Sequence, residues 1–304
     1  MNFNKQQMPE GPEVKIIADV LNEIIGDQEF IIENISVERT SKYYGKSSSL
    51  NLEAMIGKEL GSVIPYGKKV IFTIVGSEFP VIVSSLGLEG HWILLDDYDK
   101  AKKYPHVSFI FTLKKKSILD PSLTDRSDDK PTQFLIYADS RHFGLLSIAT
   151  DIKQYDFLMK DVGPSWLQDN VTFEQFYTVL RNKRFKADKI IVDFLVEQKY
   201  FSGIGNYMRS EILYLAKISP HRPLNTLNIE DARRIYDAVF LVIEEALKAN
   251  GHTLHSYFTP IGTIGGYEPI IYGRSKTGDS IHADVISEKD KSDRMFHWAP
   301  SVQV

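Results

Sequence analysis

Apolar positions repeat with a helical period near the start of the chain. The stripe begins after Pro12 and ends at Gly26, and its apolar members are Val14, Ile17, Ala18, Leu21, Ile24 and Ile25. This spacing puts them on one face of a helix. Proline at the start and glycine at the end fit the preferences of helix termini. The pattern predicts an amphipathic helix from Pro12 to Gly26.

The period then changes to that of short strands rich in β-branched and aromatic residues. The predicted strands are Ile31 to Val37, Val70 to Val75, Val81 to Ser85, His91 to Leu95, Val107 to Leu113, Phe134 to Ala138 and Leu145 to Ile148. Seven such runs indicate a β-sandwich or a barrel. A polar stretch from Lys114 to Pro131 is long for a hairpin loop, so we expect a surface excursion there.

The second half of the chain is helical, and Gly163-Pro164 marks a break near the boundary. Thr172 and Gln175 have the spacing of a capping box. The predicted helices are Thr172 to Asn182, Lys189 to Gln198, Asn206 to Ala216 and Ile229 to Ala249. The two halves therefore differ in class, which predicts at least two structural units.

After Tyr257 the helical period is lost and the sequence becomes rich in glycine. We predict two strands here, near Pro269 to Tyr272 and at Arg294 to Trp298. A charged loop that contains Glu288, Lys289, Asp290 and Lys291 would join them. The tail is thus predicted to be a β-hairpin.

Composition removes several classes of protein. No apolar run approaches the roughly 18 residues that cross a bilayer, and the polar start MNFNKQQ does not resemble a secretory signal. We therefore expect an intracellular protein with no membrane partner. The 304 residues include no cysteine, which excludes disulfides, thiolate metal sites and cysteine nucleophiles.

Charge is unevenly distributed. The net charge of -4 argues against a general nucleic-acid binder. However, the stretch from Arg181 to Arg209 is basic, because its cations outnumber its acids. The cations are Arg181, Lys183, Arg184, Lys186, Lys189, Lys199 and Arg209, and the acids are Asp188, Asp193 and Glu197. One face of an acidic protein can therefore attract DNA. An ordinary solvated helix face is the alternative reading of the same charges.

A glycine-rich turn, Gly203-Ile204-Gly205-Asn206, separates two of the predicted helices. Glycines let the backbone approach a partner closely, and the amides at the start of the next helix favour an anion such as a DNA phosphate. Taken alone, the same tetrapeptide favours a plain helix-turn-helix corner.

Several motifs occur together and in order. They are Met8-Pro9-Glu10-Gly11-Pro12-Glu13-Val14, Gly67-Lys68, Gly87-Leu88-Glu89-Gly90, Asp139-Ser140-Arg141-His142-Phe143-Gly144, Gln198 through Glu211, Tyr272-Gly273-Arg274 and Arg294 through Gln303. On these motifs the chain resembles the Fpg/Nei family of DNA glycosylases, from Pro9 to Gln303. A helix-two-turn-helix protein of ribosomal or topoisomerase type would not explain Pro9-Glu10 or the tail.

The resemblance implies an α+β fold. It has an N-terminal β-sandwich with an amphipathic helix, a C-terminal helix-two-turn-helix domain and a β-hairpin finger. The implied units are an extension or misassigned start at 1–8, a catalytic domain at 9–153, a DNA-binding domain at 154–256 and the finger at 257–304.

The finger departs from the pattern of the wider family. Two metal-binding cysteines of the family fall on Ala299 and Val302. The chain is in this respect similar to the Nei-like branch with a zincless finger, known from vertebrates and a giant virus. We expect no metal and no cofactor. A substitute site of His282, Asp284 and His297 is the less favoured alternative, because structural zinc without a thiolate is uncommon.

The resemblance also implies catalytic roles. The amine of Pro9 would attack the sugar and form a Schiff base, Glu10 would assist ring opening and proton transfer, and Lys68 would lie near the lesion phosphate. Glu13 would support Glu10, although an acid in a first helical turn also simply favours the helix dipole.

Further residues are implied to handle DNA. Leu88, Arg141 and Phe143 would fill the space left by an extruded nucleotide. His106, Asn206, Arg274 and Arg294 would contact phosphates. For any one of these residues alone, local packing or a surface ion pair is the simpler interpretation.

The position of Pro9 imposes a condition. A proline inside a chain has an amide nitrogen that is neither nucleophilic nor protonated. We therefore expect translation to start at Met8 with the methionine trimmed, or residues 1 to 7 to be otherwise removed.

The predicted function is that of a monomeric bifunctional DNA glycosylase and abasic-site lyase. Its substrate would be damaged single- or double-stranded DNA, with oxidised pyrimidines favoured. A non-catalytic binder of lesions is the alternative if the extension persists.

Overall fold

The computed structural model describes residues 8–26, 29–39, 50–115, 132–253, 258–274 and 284–304. Most of the predicted polar excursion, together with His282 and the first seven residues, lies outside these ranges. The helices are α1 (Gly11–Gly26), α2 (Tyr98–Lys103), α3 (Ile152–Met159), α4 (Phe173–Leu180), α5 (Ile191–Leu195), α6 (Asn206–Leu215) and α7 (Ile229–Lys248). The strands are β1 (Phe30–Val37), β2 (Leu60–Tyr66), β3 (Lys69–Ile74), β4 (Ser77–Ser85), β5 (His91–Leu95), β6 (Val107–Lys115), β7 (Gln133–Ala138), β8 (Leu145–Ala149), β9 (Ile286–Lys289) and β10 (Met295–Trp298).

The N-terminal half is a sandwich of two antiparallel four-stranded sheets, ordered β1-β6-β7-β5 and β2-β3-β4-β8. Trp92 lies in the core, with its ring 4.8 Å from that of Phe72 and 5.2 Å from that of Tyr137. Such contacts between rings add to the burial of their large apolar areas. The predicted β-sandwich is confirmed.

Helix α1 covers this core with the predicted apolar stripe, and Val14, Ile17 and Leu21 are buried there. The side chain of Asn22 fastens the helix to β2. Its Nδ2 donates to the Val63 carbonyl at 2.8 Å, and its Oδ1 accepts the Val63 amide at 2.6 Å. Because both groups of the amide are satisfied, the position of α1 on the sandwich is fixed by hydrogen bonds as well as by packing.

One strand of the sandwich escaped prediction. The β2 sequence LGSVIPY contains Gly61, Ser62 and Pro65, which interrupt an apolar run. Strand β2 lies at the edge of its sheet, where proline is tolerated because one row of backbone donors is unpaired. The edge position explains how a strand can carry this sequence.

The second half is helical as predicted, and the capping box of α4 forms. Gln175 N donates to Thr172 Oγ1 at 3.2 Å, and Thr172 N donates to Gln175 Oε1 at 2.8 Å. Helix α5 is shorter than the predicted Lys189 to Gln198, because Ile190 is extended and pairs with Pro223. Helices α2 and α3, capped by Asp97 and Asp151, are short and were not predicted as separate helices.

The tail forms a hairpin, although not from the predicted pair of strands. Strand β10 pairs with β9, so Glu288 and Lys289 lie in a strand rather than in the connecting loop. The prediction of a strand at Pro269 to Tyr272 was wrong. The carboxylate of Glu211 instead accepts the amides of Ile270, Ile271 and Tyr272 at 2.6, 3.1 and 2.9 Å. A buried side chain thereby does for these amides what a partner strand would do.

Within the described ranges, none of the helices combines the length and the apolar character needed to cross a membrane. The sandwich and the helical half meet where the start of α1 touches the turn before α6. Gly11 N donates to the Gly203 carbonyl at 2.9 Å. This junction holds four of the residues that the sequence indicates, which are Pro9, Glu10, Glu13 and Lys68.

Candidate active site

The carboxylate of Glu10 joins the two halves of the molecule. It is buried and accepts three backbone amides, from Gly205 at 2.6 Å, Tyr207 at 3.0 Å and Met208 at 3.2 Å. These donors belong to the first turn of α6, where amides have no partner within the helix and the dipole favours a negative charge. A residue of the N-terminal domain therefore caps a helix of the C-terminal domain.

Lys68 meets Glu10 above Gly205. A Cβ atom placed on Gly205 would lie 2.3 Å from Lys68 Nζ and 2.5 Å from Glu10 Oε1. Only glycine leaves room for both side chains. The turn that carries Lys68 also packs closely, since Gly67 has φ +57° and a Cβ there would lie 2.6 Å from Ser202 Oγ. The two glycines let a cation and an anion approach the same backbone.

Burial lowers the pKa of Lys68, the nearby positive charge of Arg294 lowers it further, and the negative charge of Glu10 opposes both effects. A lysine in this position is closer to losing its proton than one in water. Such a group can neutralise an anion or move a proton, both of which suit phosphate and sugar chemistry.

Glu13 lies under this pair. Its carboxylate accepts Glu10 N at 3.0 Å, His252 N at 3.0 Å and the Tyr207 hydroxyl at 3.0 Å. Burial and then the negative charge of Glu10 raise the pKa of Glu13 to about 7, despite these three donors. The sequence assigned no role to Tyr207 or His252. The Tyr207 hydroxyl and the His252 backbone amide contact Glu13 only in the folded chain.

Pro9 is buried next to Glu10, with its nitrogen in the peptide bond to Met8. Asn206, the first residue of α6, directly follows Gly205, the residue over which Glu10 and Lys68 converge. Four residues expected to act together are thus brought to one junction: Pro9, Glu10, Glu13 and Lys68. Asn206 begins the helix that Glu10 caps.

The three residues expected to fill the space of an extruded nucleotide also come together. Gly87 has φ +65°, and a Cβ there would lie 2.5 Å from Gly144 N, so the turn that carries Leu88 packs against the loop after Phe143. The guanidinium of Arg141 lies 5.0 Å from the Phe143 ring. Asp139 orders this loop by accepting Arg141 N at 3.0 Å and Gly144 N at 2.7 Å.

The expected phosphate ligands differ in setting. His106 is exposed with φ +61°, and its carbonyl accepts Asp139 N at 3.0 Å, so it adjoins the loop of Arg141. Arg274 donates from Nε to the Pro269 carbonyl at 3.0 Å and pairs with Glu268 at 3.3 Å. Arg294 donates from Nε to Asp290 at 3.0 Å. Both arginine side chains are therefore oriented by the protein before any phosphate arrives.

Arg209 was counted among surface cations, yet it is fully buried. It pairs with the buried Asp290 at 2.7 Å and donates to the Arg294 and Met295 carbonyls at 3.0 and 3.2 Å. Asp290 thus joins α6 to the hairpin turn and to Arg294. One signal could have indicated this burial, because Ile212 and Leu213, three and four residues later, are apolar and mark a buried face.

Apolar contacts hold the finger at Ala299 and Val302, the two positions at which the resemblance implies cysteines in the wider family. Ala299 is buried with Ile271 and Val285, and Val302 packs against the same cluster. Among the described residues, no group of three or more His, Asp or Glu side chains could hold a metal ion. Asp284 accepts the Ser301 amide at 2.8 Å.

Two protein families match most of this chain. The family model "Formamidopyrimidine-DNA glycosylase N-terminal domain" matches residues 8–146, and the family model "Formamidopyrimidine-DNA glycosylase H2TH domain" matches residues 162–257. A formamidopyrimidine-DNA glycosylase of Lactococcus lactis is 30% identical over 275 residues, with 90% of each chain covered. The chain belongs to this family.

Other relatives support the same family assignment. The formamidopyrimidine-DNA glycosylase of Listeria innocua is 26% identical over 299 residues, which cover 97% of this chain and 100% of that protein. The Lactococcus lactis enzyme solved with an oxidised-pyrimidine-containing DNA is 25% identical, with a TM-score of 0.75 over 97% of this chain and 99% of that one. A Thermus thermophilus relative at 24% identity has the same fold, with a TM-score of 0.75, over 97% of this chain and 98% of that one. The chain is therefore a DNA glycosylase of base excision repair, and its placement in the Nei-like branch stays a prediction.

The pKa of Glu13 predicts a pH-dependent stability of the glycosylase. Between about pH 4.5 and 7 the folded protein keeps a proton on Glu13 that the unfolded chain releases. Raising the pH through this range therefore lowers the free energy of unfolding, by up to about 3 kcal/mol from this group. Urea unfolding at pH 5 and pH 8 should show that Glu13→Gln loses this part of the pH dependence. Glu23→Gln, at an exposed position of α1, should retain it. An equal change in the free energy of unfolding between pH 5 and pH 8 in both variants would contradict the assignment.

The Arg209–Asp290 pair predicts a large loss of stability when one partner is removed. Arg209→Met should lower the free energy of unfolding by about 3 kcal/mol, the lower end of the range for a broken buried pair, because Asp290 loses its buried partner and keeps only the partly exposed Arg294. Lys248→Met removes an exposed ion pair with Glu244 and should cost less than about 1 kcal/mol. Chemical denaturation of both variants measures the difference, and similar losses would show that the buried pair has no special role.

Proposed function

We propose that this glycosylase excises oxidised bases from damaged DNA and then cleaves the strand, with the amine of Pro9 as nucleophile. The observation that carries the proposal is that Glu10 and Lys68 converge over Gly205. Glu10 directly follows Pro9 in the chain, so the proline lies beside this pair. An acid and a cation of depressed pKa beside a terminal amine are the groups that covalent attack on a sugar needs.

The proposed chemistry runs in three steps. The secondary amine attacks C1′ of the extruded nucleotide, the bond from C1′ to the base breaks, and the base leaves with its electron pair and takes up a proton. The Pro9 nitrogen loses its proton, and the C1′–O4′ bond breaks as the ring oxygen gains a proton with the assistance of Glu10, which leaves a cationic imine on Pro9. Loss of a proton from C2′ then expels the 3′ phosphate by β-elimination, and δ-elimination expels the 5′ phosphate.

The proposal requires a free Pro9 amine. In the peptide bond from Met8, the proline nitrogen has no hydrogen and its electron pair is delocalised, so it cannot attack C1′. We propose that the active form begins at Pro9 and that residues 1–8 are an extension or a misassigned start. The match to the family's N-terminal domain, which begins at residue 8, supports this assignment.

Supporting roles follow from position. Lys68 is proposed to bind the phosphate next to the lesion, and Glu13 to keep Glu10 in place through the Glu10 amide. Leu88, Arg141 and Phe143 are proposed to occupy the emptied stack, a role supported by their packing in two adjoining turns. His106, Asn206, Arg274 and Arg294 are proposed to bind phosphates of damaged DNA. The proposed units remain 9–153, 154–256 and 257–304.

Substrate choice is proposed to favour oxidised pyrimidines. The opening Pro9-Glu10-Gly11-Pro12-Glu13 and a finger without thiolates resemble the Nei-like branch, which prefers these lesions. The solved complex of the Lactococcus lactis relative with an oxidised-pyrimidine-containing DNA supports access of such bases to this fold. Excision of formamidopyrimidines is the second candidate, because the relatives carry that name.

Borohydride trapping tests the nucleophile. A form that begins at Pro9 should become covalently linked to abasic-site DNA, and mass spectrometry should place the adduct on the Pro9 nitrogen. The matched control retains residues 1–8 and should give no adduct while still binding the same DNA, because its proline nitrogen is held in the peptide bond to Met8. An adduct on Lys68, or efficient trapping of the longer form, would overturn the proposal. If the natural protein retains residues 1–8, its intact mass would support the non-catalytic binder instead.

A cleavage panel tests the substrate. Thymine glycol and 5-hydroxyuracil should be excised faster than 8-oxoguanine by the form that begins at Pro9, in single-stranded or double-stranded DNA. Formamidopyrimidine in the same contexts distinguishes the second candidate. Faster excision of 8-oxoguanine than of either pyrimidine would contradict the proposed preference, whereas the trapping result would be unaffected.

A further inference from the structure

The loop between α4 and α5 carries a concentration of positive charge. Residues 181–190, called the α4–α5 loop here, include five cations and one acid, Asp188. The cations are Arg181, Lys183, Arg184, Lys186 and Lys189. The whole chain has a net charge of -4, so this loop is locally opposite in sign to the protein that carries it. It lies outside the junction of Glu10 and Lys68.

Three of the cations are uncommitted. Lys183, Arg184 and Lys186 are exposed, and none of them forms an ion pair with another described residue. Other exposed lysines, such as Lys100 and Lys248, pair with an acid four residues earlier. Three unpaired cations within four residues repel one another, and this repulsion is relieved when an anion binds.

The other two cations build the loop. Arg181 donates from Nη1 to the Asn225 carbonyl at 3.1 Å, and Lys189 is hydrogen-bonded to Glu197. Backbone turns order the residues between them, since Phe185 N donates to the Asn182 carbonyl at 3.1 Å. The free cations are therefore presented by a loop that is anchored at both ends.

The loop also encloses a cavity of about 280 Å³. Leu180, Phe185 and Leu224 form its apolar wall, and Arg181, Lys183 and Lys186 are among the polar residues that line it. A cavity with cations beside an aromatic edge suits a nucleotide better than a simple ion, because it offers contacts to both a phosphate and an apolar sugar or base.

The loop is continuous with the junction. The Phe185 ring meets the Tyr200 ring edge to face, with centroids 5.2 Å apart. Tyr200 begins the segment that runs through Ser202 and Gly203 to Gly205, where Glu10 and Lys68 converge. The loop therefore packs against the segment that leads to the junction.

We propose that the α4–α5 loop is a second DNA-binding surface, which binds the phosphodiester backbone outside the lesion-bearing nucleotide. Charge complementarity favours this occupant, because Lys183, Arg184 and Lys186 can each neutralise a phosphate. The proposal rests on the proposed function only in taking DNA as the partner. It assigns the loop no part in base removal.

The test is the salt dependence of binding. Each phosphate neutralised makes log K fall with log salt by about 0.9 for duplex DNA and about 0.7 for single strands. With long DNA that carries a non-cleavable abasic-site analogue, Lys183→Ala/Arg184→Ala/Lys186→Ala should therefore lower the slope by about 2 to 3. A ladder of shorter duplexes should show the difference disappear once the DNA no longer reaches the loop. The single-stranded series identifies which form of DNA is bound.

The matched control removes the same charge elsewhere. Lys58→Ala/Lys153→Ala/Lys217→Ala changes three exposed lysines, one before β2, one on α3 and one after α6, and should keep the wild-type slope. Borohydride trapping on the shortest duplex should be the same for both triple variants, so a failed trapping result would count against the proposed function alone. Equal slopes for the loop variant and wild type on long DNA, or an equal loss on every length, would overturn the second surface.

Discussion

The position of one carboxylate organises the molecule. Glu10 leaves the N-terminal domain and accepts the three amides that begin α6, so an anion from one half satisfies the unpaired donors of the other. The contact requires glycine at 205, because any side chain there would displace Lys68 and Glu10 together. The proposed catalytic residues Glu10 and Lys68 therefore lie in the junction between the two halves.

Helix α6 extends this organisation to the finger. Arg209, Ser210 and Glu211 are consecutive and buried, and each supplies a polar contact to the tail. Arg209 holds Asp290, Ser210 Oγ accepts the His297 amide at 3.1 Å, and Glu211 holds the amides of the segment before the hairpin. Together with the apolar cluster around Ala299, these contacts fasten the hairpin without thiolate ligands.

Local patterns predicted most of the architecture, and long-range contacts decided what they missed. The apolar stripe of α1, seven of the strands in the sandwich and the α4 capping box follow from periodicity and spacing. Strand β2 was missed because its glycine and proline are tolerated only at a sheet edge, which the sequence does not reveal. The false strand at Pro269 to Tyr272 arose because Glu211, about 60 residues earlier, satisfies its amides.

The candidate site shows the same division. The motifs indicated Pro9, Glu10, Glu13 and Lys68, and the structure brings them to one place. They did not indicate Tyr207, His252 or the Arg209–Asp290 pair, since these contacts join residues distant in the chain and form only in the assembled fold. The capping by Glu10 has a consequence for how inactive variants are interpreted. Any change that parts the two halves also removes the carboxylate from its amides, so mechanical loosening at the turn of residues 203–205 would mimic a chemical defect. In the proposed mechanism, the contact between the two halves and the position of Glu10 therefore depend on each other.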